Sequence, residues 1–117
     1  MWKNDPYLTR WGAICRNNII GADGNDTFTA HASAGSSLTG GTGNDTFIVG
    51  TSTGNDTLLG GGGTDVIDYS AAAAAVTVDL SDTNAQTING ALGNDTLSGI
   101  ETVIGSAQGD TLTTTTT

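Results

Sequence analysis

Large apolar side chains, which form the core of most proteins, are scarce in this sequence. Its 117 residues include two tryptophans, two tyrosines and two phenylalanines, against eighteen glycines. Fixing one residue opposes folding by about 1–2 kcal/mol, and glycine loses the most backbone freedom. Burial of a large apolar side chain contributes only about 1.5–3 kcal/mol. Apolar burial alone therefore stabilises this chain poorly, and a second source of stability is expected.

Cysteine, histidine and long apolar runs are also scarce. Cys15 is the only cysteine, which excludes an intrachain disulfide. A GxSxG motif at 50–54 runs into a glycine-rich repeat and His31 is the only histidine, so no hydrolase triad is expected. No apolar stretch is long enough to cross a membrane, and no hydrophobic segment follows Lys3 as in a general secretory signal peptide. The sequence predicts neither an enzyme nor insertion into a membrane.

No lysine or arginine lies beyond the first 18 residues. Three basic residues stand against twelve acidic ones, for a net charge of −9. This balance argues against nucleic acid and anionic membranes as partners. The acids recur singly, behind a glycine and a small polar residue, rather than in an acidic tail. Regularly spaced carboxylates in glycine-rich loops favour a hard cation with oxygen ligands, which indicates Ca²⁺.

A short repeat dominates the rest of the chain. Gly-Asn-Asp-Thr occurs at 24–27, 43–46, 54–57 and 93–96, with relatives at 63–66 and 108–111. Each copy is followed one residue later by a large apolar side chain: Phe28, Phe47, Leu58, Ile67, Leu97 and Leu112. Alternate residues of a strand face opposite sides of a sheet. These six side chains are therefore expected to point inward.

The repeat extends to nine residues with the pattern GGxGxDxUx, where U is a large apolar residue. The pattern is complete at 40–48 and 60–68, and partial at 21–29, 51–59 and 90–98. The nonad at 31–39 is degenerate, with Ser36 in the place of Asp. The pattern resembles the RTX, or haemolysin-type, calcium-binding repeats of type I secreted bacterial proteins, over roughly residues 21–112.

A nonad provides about six residues to reverse direction and about three for a strand. The reversal needs positive φ angles, which glycine adopts freely. Successive half-turns then lie on opposite edges, so that loops two nonads apart stack on one edge. The sequence predicts an all-β fold, a parallel β-roll or β-solenoid of nonapeptide repeats with calcium ions between stacked loops.

Stacked loops bring carboxylates about 4.8 Å apart, where they repel strongly without a counter-ion. A Ca²⁺ ion between two loops would take two carboxylates and backbone carbonyls, reaching six or more oxygens, and the resemblance implies the same arrangement. Several ions are expected. The predicted carboxylate ligands are Asp26, Asp45, Asp56, Asp65, Asp95 and Asp110. The predicted carbonyl ligands are Gly21, Asp23, Gly24, Gly40, Thr42, Gly43, Gly54, Gly60, Gly62, Gly63 and Gly93.

Spacing assigns the aspartates to edges. Asp26, Asp45 and Asp65 are 19 and 20 residues apart, close to two nonads, and are expected on one edge. Asp56 is expected on the opposite edge, together with the loop of Ser36. Since Ser36 has no charge, sites on that edge are expected to be weaker.

Composition divides the chain into four segments. They are an aromatic and basic segment at 1–18, a dense β-roll at 19–68, a degenerate solenoid at 69–112 and a threonine-rich tail at 113–117. The first is expected to be a cap, a docking arm or a leader, with capping slightly favoured because solenoid ends expose strand edges. A second cluster of sites is expected to begin with Asp95 and Asp110.

The resemblance implies a calcium-binding structural module of a secreted bacterial protein, which folds on Ca²⁺ outside the cell, at the surface or in a matrix. The alternative is a self-assembling extracellular filament or matrix subunit, built by end-to-end stacking. Plain turn chemistry without metal is less consistent with a column of aspartates. Ice binding is disfavoured because the third nonad position, Asp23, Thr42 and Gly62, is no threonine row.

Overall fold

The computed structural model describes residues 18–30, 35–49, 52–89 and 92–114. The segment predicted as a cap, docking arm or leader lies outside these ranges except for its last residue, as does most of the threonine-rich tail. The described part is built of strands, without a helix: β1 (Asn18–Ile20), β2 (Thr27–Thr29), β3 (Ser37–Thr42), β4 (Thr46–Ile48), β5 (Thr57–Gly62), β6 (Val66–Asp68), β7 (Thr77–Asp79), β8 (Ala85–Asn89), β9 (Gly93–Ser98), β10 (Thr102–Ile104) and β11 (Thr111–Thr113).

The strands form three sheets. The first has the order β1-β3-β5-β9-β8, the second β10-β6-β4-β2, and the third β11-β7. From β1 to β6, successive strands alternate between the first two sheets. All pairs are parallel except β8 with β9, which is antiparallel. The all-β class and the parallel pairing are confirmed, and β8 is an addition that the nonad pattern does not contain.

Neighbouring strands pair with equivalent repeat positions facing each other. Phe28 is opposite Phe47, and Phe47 is opposite Ile67 in the second sheet. In the first sheet Leu38 faces Leu58, which faces Leu97. All of these side chains are buried, and the rings of Phe28 and Phe47 stack with centroids 5.2 Å apart. The inward-facing apolar column is confirmed for every repeat but the last.

The exception is Leu112, whose side chain is 40 % exposed. It lies in β11, which has β7 as its one neighbour among the described strands. All three residues of β11 are exposed, so no apolar layer of the described chain covers this strand on either face. The expectation that Leu112 points into the core was therefore wrong.

Glycines allow the loops to turn tightly and to stack closely. The fourth-position residues Gly24, Gly43 and Gly63 have φ angles of 112°, 119° and 118°. A Cβ atom at Gly61 would overlap the carbonyl oxygen of Gly41 in the loop below. Strands β3 and β5 run on through the double glycine and are six residues long, not about three as expected. The paired strands thus include the first glycines of the next nonad, which were expected to belong to the turn.

An excursion of the chain between β6 and β9 interrupts the repeat. Paired residues of β3 and β5 are 20 apart in sequence, as in Ser37 and Thr57, whereas Thr57 and Thr96 of β5 and β9 are 39 apart. The added chain contains β7 and β8. Because β9 pairs directly with β5, Asp95 joins the existing stack, and the expectation that it begins a second cluster was wrong. The described chain contains no helix that is long and apolar enough to cross a membrane.

Candidate metal centre

Four acidic residues stack on one edge of the second sheet. Asp26, Asp45 and Asp65 directly precede β2, β4 and β6, and Glu101 directly precedes β10. The backbone amide of Asp26 donates to Asp45 Oδ1 and that of Asp45 to Asp65 Oδ1, both at 2.8 Å. The amide of Asp65 donates to Glu101 Oε2 at 2.9 Å. We call Asp26, Asp45, Asp65 and Glu101 the first column.

The spacing of 19 and 20 residues predicted three members of the first column correctly. Glu101 was not expected in it. A signal for it exists in the sequence, because Glu101-Thr102-Val103-Ile104 repeats the order acid, threonine, apolar, apolar of Asp45-Thr46-Phe47-Ile48. Glu101 follows Asp65 by 36 residues, however, so its place in the column depends on the excursion and not on the nonad spacing.

A second column lies on the edge of the first sheet. It consists of Ser36, Asp56 and Asp95. The backbone amide of Ser36 donates to Asp56 Oδ1 at 2.8 Å, and that of Asp56 to Asp95 Oδ1 at 3.0 Å. Asp56 and the loop of Ser36 therefore share an edge, as the spacing predicted. All three residues are buried.

Three of these aspartates each have one buried carboxylate oxygen without a hydrogen-bond partner. The side chains of Asp45, Asp56 and Asp65 are 0 %, 1 % and 0 % exposed. In each, Oδ1 accepts a backbone amide and Oδ2 has no hydrogen-bond partner of good geometry, although the Ser52 side chain lies close enough to Asp56 to act on its pKa. A buried polar group without a partner costs about 1–3 kcal/mol, and more when it is charged. The Oδ2 atoms of Asp45 and Asp65 therefore provide negative charge that the described part of the protein does not compensate.

The pKa values of these carboxyl groups reflect the same imbalance. Burial raises the pKa of Asp45, the hydrogen bond from the Asp26 amide opposes the rise, and the charges of Asp65 and Asp26 add to it. Burial likewise raises the pKa of Asp65, with a contribution from Glu101. Burial also raises the pKa of Asp56, while the Ser52 side chain and the amide and side chain of Ser36 oppose the rise. Stacked carboxylates without a cation destabilise their own charged form.

Backbone carbonyl oxygens lie beside these carboxylates. At Gly40, the space that a Cβ atom would fill is bordered by Asp45 Oδ2 and by the carbonyl oxygen of Gly60 in the next loop. The first-position glycines on either side repeat this arrangement: Gly21 with Asp26 and the carbonyl of Gly40, and Gly60 with Asp65 and the carbonyl of Gly99. Carboxylate and carbonyl oxygens are the ligands that Ca²⁺ takes in proteins. The residues present therefore fit a calcium ion.

The other predicted carbonyl ligands lie in the same loops but have different surroundings. The carbonyl oxygens of Gly24, Gly43 and Gly54 lie against the glycines of the adjacent loops. Those of Thr42 and Gly62 accept backbone amides at 2.8 Å and 2.9 Å. The carbonyl of Gly99 was not expected near a site, because Gly99 lies outside every nonad.

No three side chains of Asp, Glu, His or Cys converge on one point within the ranges that the structure describes. A calcium site there would need oxygen ligands besides the carboxylates, and the glycine-rich loops predict backbone carbonyls for this role. Asp110 stands apart from both columns. Its Oδ1 accepts the amide of Val76 at 2.9 Å and the hydroxyl of Ser106 at 2.6 Å, and the Ser106 hydroxyl lowers its pKa.

Asp95 differs from the other buried aspartates because both of its oxygens have protein partners. Oδ1 accepts the Asp56 amide, and Oδ2 accepts the hydroxyl of Tyr69 at 2.7 Å. Burial raises the pKa of Asp95 to about 7, the Tyr69 hydrogen bond opposes the rise, and the Asp56 charge adds to it. Burial also raises the pKa of Tyr69, as does the neighbouring Asp95.

The asparagines of the repeat have a structural role that was not expected. Asn25 Oδ1 accepts the backbone amide of Asn44 at 2.8 Å, and Asn44 Oδ1 accepts that of Thr64 at 2.9 Å. Asn55 Oδ1 accepts the amide of Asn94 at 2.9 Å. Asparagine at the fifth position thus hydrogen-bonds the next loop of the stack, on the exposed side of the aspartate column.

Comparison with known families confirms the resemblance found in the sequence. The model of the RTX calcium-binding nonapeptide repeat matches four times, at 16–34, 31–52, 39–72 and 82–99. The four matches include five of the six predicted aspartates and leave out Asp110. No curated protein and no solved structure matches the chain. Because the four matches cover more than half of the sequence, the chain belongs to the family of RTX calcium-binding nonapeptide repeats.

Proposed function

We propose that the chain is a calcium-binding structural module, a parallel β-roll that holds several ions between stacked loops and has no catalytic role. The observation that supports this most directly is the pair of buried, partnerless carboxylate oxygens in neighbouring loops, Oδ2 of Asp45 and Asp65. A structural protein without a metal would avoid such atoms, because each destabilises the fold.

The first column provides the best ligands. Asp45 and Asp65 would hold the ions with their partnerless Oδ2 atoms, and Asp26 with a carboxylate whose Oδ2 also accepts the Ala22 amide at a long 3.3 Å. The carbonyl oxygens that border Gly21, Gly40 and Gly60 would complete the sites. Bound calcium supplies positive charge that offsets the stacked carboxylates. The chain's own contribution is to hold these oxygens in place, which the amide hydrogen bonds to the Oδ1 atoms of Asp45 and Asp65 accomplish for those two residues.

Folding and calcium binding are coupled in this proposal. The described chain has no compensating cation near either column, and the whole chain carries a net charge of −9. An ion that binds only the folded state stabilises it by about 2.7 kcal/mol at 100 times its Kd. Extracellular calcium modules bind Ca²⁺ with Kd values of about 10⁻⁴–10⁻³ M. At such affinities the sites fill, and the chain folds, only at the high calcium concentration outside the cell. The family's association with type I secreted bacterial proteins supports an extracellular location.

Circular dichroism of the chain in EDTA and in Ca²⁺ tests the proposal. The β signal is expected to be weak in EDTA and to appear as Ca²⁺ is added. Mg²⁺ is expected to substitute poorly, because it requires a small octahedral site and keeps its waters. A chain that is equally folded in EDTA, or that binds no Ca²⁺ in calorimetry, would contradict the proposal.

A second candidate function is assembly of copies end to end. It is favoured by one observation: β10 and β11 each have a single neighbour among the described strands, and their Ile104 and Leu112 are 43 % and 40 % exposed. An unpaired strand edge with apolar side chains can pair with another chain. Sedimentation velocity in Ca²⁺ over a range of protein concentrations distinguishes the two candidates, because only assembly gives species that grow with concentration.

A further inference from the structure

The hydroxyl of Tyr69 occupies the oxygen that Asp95 would otherwise offer to a cation. Asp45 and Asp65 each leave Oδ2 without a partner, whereas Asp95 Oδ2 accepts the Tyr69 hydroxyl at 2.7 Å. Asp95 stands in the same tetrapeptide as Asp45 and Asp56, Gly93-Asn94-Asp95-Thr96, although its nonad is only partial. Its different environment therefore comes from the fold and not from its own motif.

Main-chain contacts hold Tyr69 in position. It follows β6 directly, and its backbone amide donates to the carbonyl oxygen of Ile104 at 2.8 Å. Its carbonyl oxygen accepts the amide of Ala72 at 2.9 Å, which begins the excursion towards β7. The side chain is 0 % exposed and belongs to the core. It thus extends from the second sheet across the core to an aspartate on the edge of the first.

We propose that Asp95 is not a calcium ligand, and that the Tyr69 hydroxyl takes the place of an ion in the second column. The inference rests on the proposed function, since it concerns which repeat aspartates bind calcium. Tyr69 acts as a positioning residue. It fixes Asp95, and through Asp95 the loop of Asp56, without metal.

Competition between the hydroxyl and an ion favours the hydroxyl. A calcium ion at Asp95 Oδ2 would displace the Tyr69 hydroxyl, which is fully buried and would then have lost its acceptor. An unsatisfied buried hydroxyl opposes binding, whereas no such loss occurs at Asp45 or Asp65. The attachment of the excursion to the stack therefore does not depend on calcium, and calcium binding concentrates in the first column.

Calcium titration by calorimetry of the full chain tests the inference, with Asp45→Asn and Asp95→Asn as matched variants. Asparagine at 95 retains both contacts, because its carbonyl oxygen accepts the Asp56 amide and its amino group donates to the Tyr69 oxygen. Asp95→Asn is expected to bind as many ions as the wild type, with affinity within about twofold. Asp45→Asn is expected to lose at least one ion, with an affinity loss of about tenfold or more for those that remain nearby.

The outcomes separate the inference from the proposed function. If the wild type binds no calcium, the proposed function is wrong. If the wild type binds calcium and Asp95→Asn loses an ion as Asp45→Asn does, the proposed function stands and the inference is overturned.

A second variant tests the role of the hydroxyl directly. Tyr69→Phe removes only the hydroxyl and leaves Asp95 Oδ2 buried without a donor, like the Oδ2 atoms of Asp45 and Asp65. This variant is expected to bind one more ion than the wild type in the same calorimetric titration. An unchanged number of ions would overturn the claim that the hydroxyl excludes calcium from Asp95.

Discussion

Asp45→Asn is expected to change stability in opposite directions with and without calcium. In the absence of metal, Asp45 is a fully buried carboxylate whose Oδ2 has no partner and whose pKa is raised by burial. Asparagine keeps an acceptor for the Asp26 amide. Its amino group faces the carbonyl oxygen of Gly60, which borders the same space. The substitution therefore removes an unfavourable charge and adds a donor where the wild type has none.

The magnitudes follow from the same contacts. Relief of one buried, unsatisfied polar group is expected to stabilise the metal-free fold by about 1–3 kcal/mol. In calcium, each lost ion removes about 2.7 kcal/mol at 100 times its Kd. Asp45 has a stacked aspartate on each side, Asp26 and Asp65, so two ions are expected to be affected. The loss in calcium then exceeds the gain in EDTA, and the variant changes from more stable to less stable than the wild type.

Urea unfolding followed by circular dichroism measures both states. Titrations in EDTA need a stabilising osmolyte such as sucrose if the wild type is unfolded there. Asp79→Asn is the control, because Asp79 lies outside both columns and its carboxylate accepts hydrogen bonds from Ser81. Its effect on the free energy of unfolding is expected to be the same with and without calcium.

One result would refute this reasoning. If Asp45→Asn lowers the free energy of unfolding in EDTA as much as in calcium, the Asp45 carboxylate does not destabilise the metal-free fold. Its partnerless oxygen would then be no indication of a cation.

Three more predictions concern pH, backbone space and the order of the sites. In EDTA, the free energy of unfolding is expected to increase as pH falls from about 7 towards 4. The pKa of Asp95 is about 7 in the fold against 3.8 ordinarily, so in this range the folded chain holds a proton that the unfolded chain releases. Urea unfolding at several pH values is expected to show an effect on the order of 4 kcal/mol. Gly40→Ala is expected to weaken calcium binding in calorimetry, because the added Cβ would overlap Asp45 Oδ2. In the control Gly62→Ala, the added Cβ has no neighbouring atom within 4 Å, so this variant is expected to bind calcium as the wild type does; equal affinities of the two variants would contradict the prediction. Asp45→Ala is expected to lower the number of bound ions more than Asp26→Ala, since only Asp45 has an aspartate on both sides; equal losses would show that the order of the column is wrong.

Local repetition explains what the sequence predicted correctly. A residue such as Phe47 has the same position in its nonad as Phe28 and Ile67, and parallel pairing places equivalent positions side by side. The inward column and the shared edge of Asp26, Asp45 and Asp65 both follow from this rule. They depend only on spacing, which can be read from the chain directly.

What the sequence did not predict depends on contacts across the excursion. Thr57 pairs with Thr96 because about 20 of the residues between them lie outside the stack. No local sequence pattern predicts that β9 returns to a position beside β5. Glu101 in the first column and Tyr69 at Asp95 are consequences of that return. The exposure of Leu112 is similar, since a strand needs neighbouring layers as well as the right motif to be buried.

The asparagine and aspartate contacts run in opposite directions along the stack. Asn25 in an earlier loop accepts the amide of a later one, Asn44, while Asp45 in the later loop accepts the amide of the earlier Asp26. Both contacts recur between the loops of Asp56 and Asp95, although 39 residues separate them. Two adjacent loops thus recognise each other by a reciprocal pair of bonds, whatever length of chain connects them. For protein engineering, the interval between β6 and β9 is therefore a natural insertion point, where foreign segments can be added while the flanking loops still find their register.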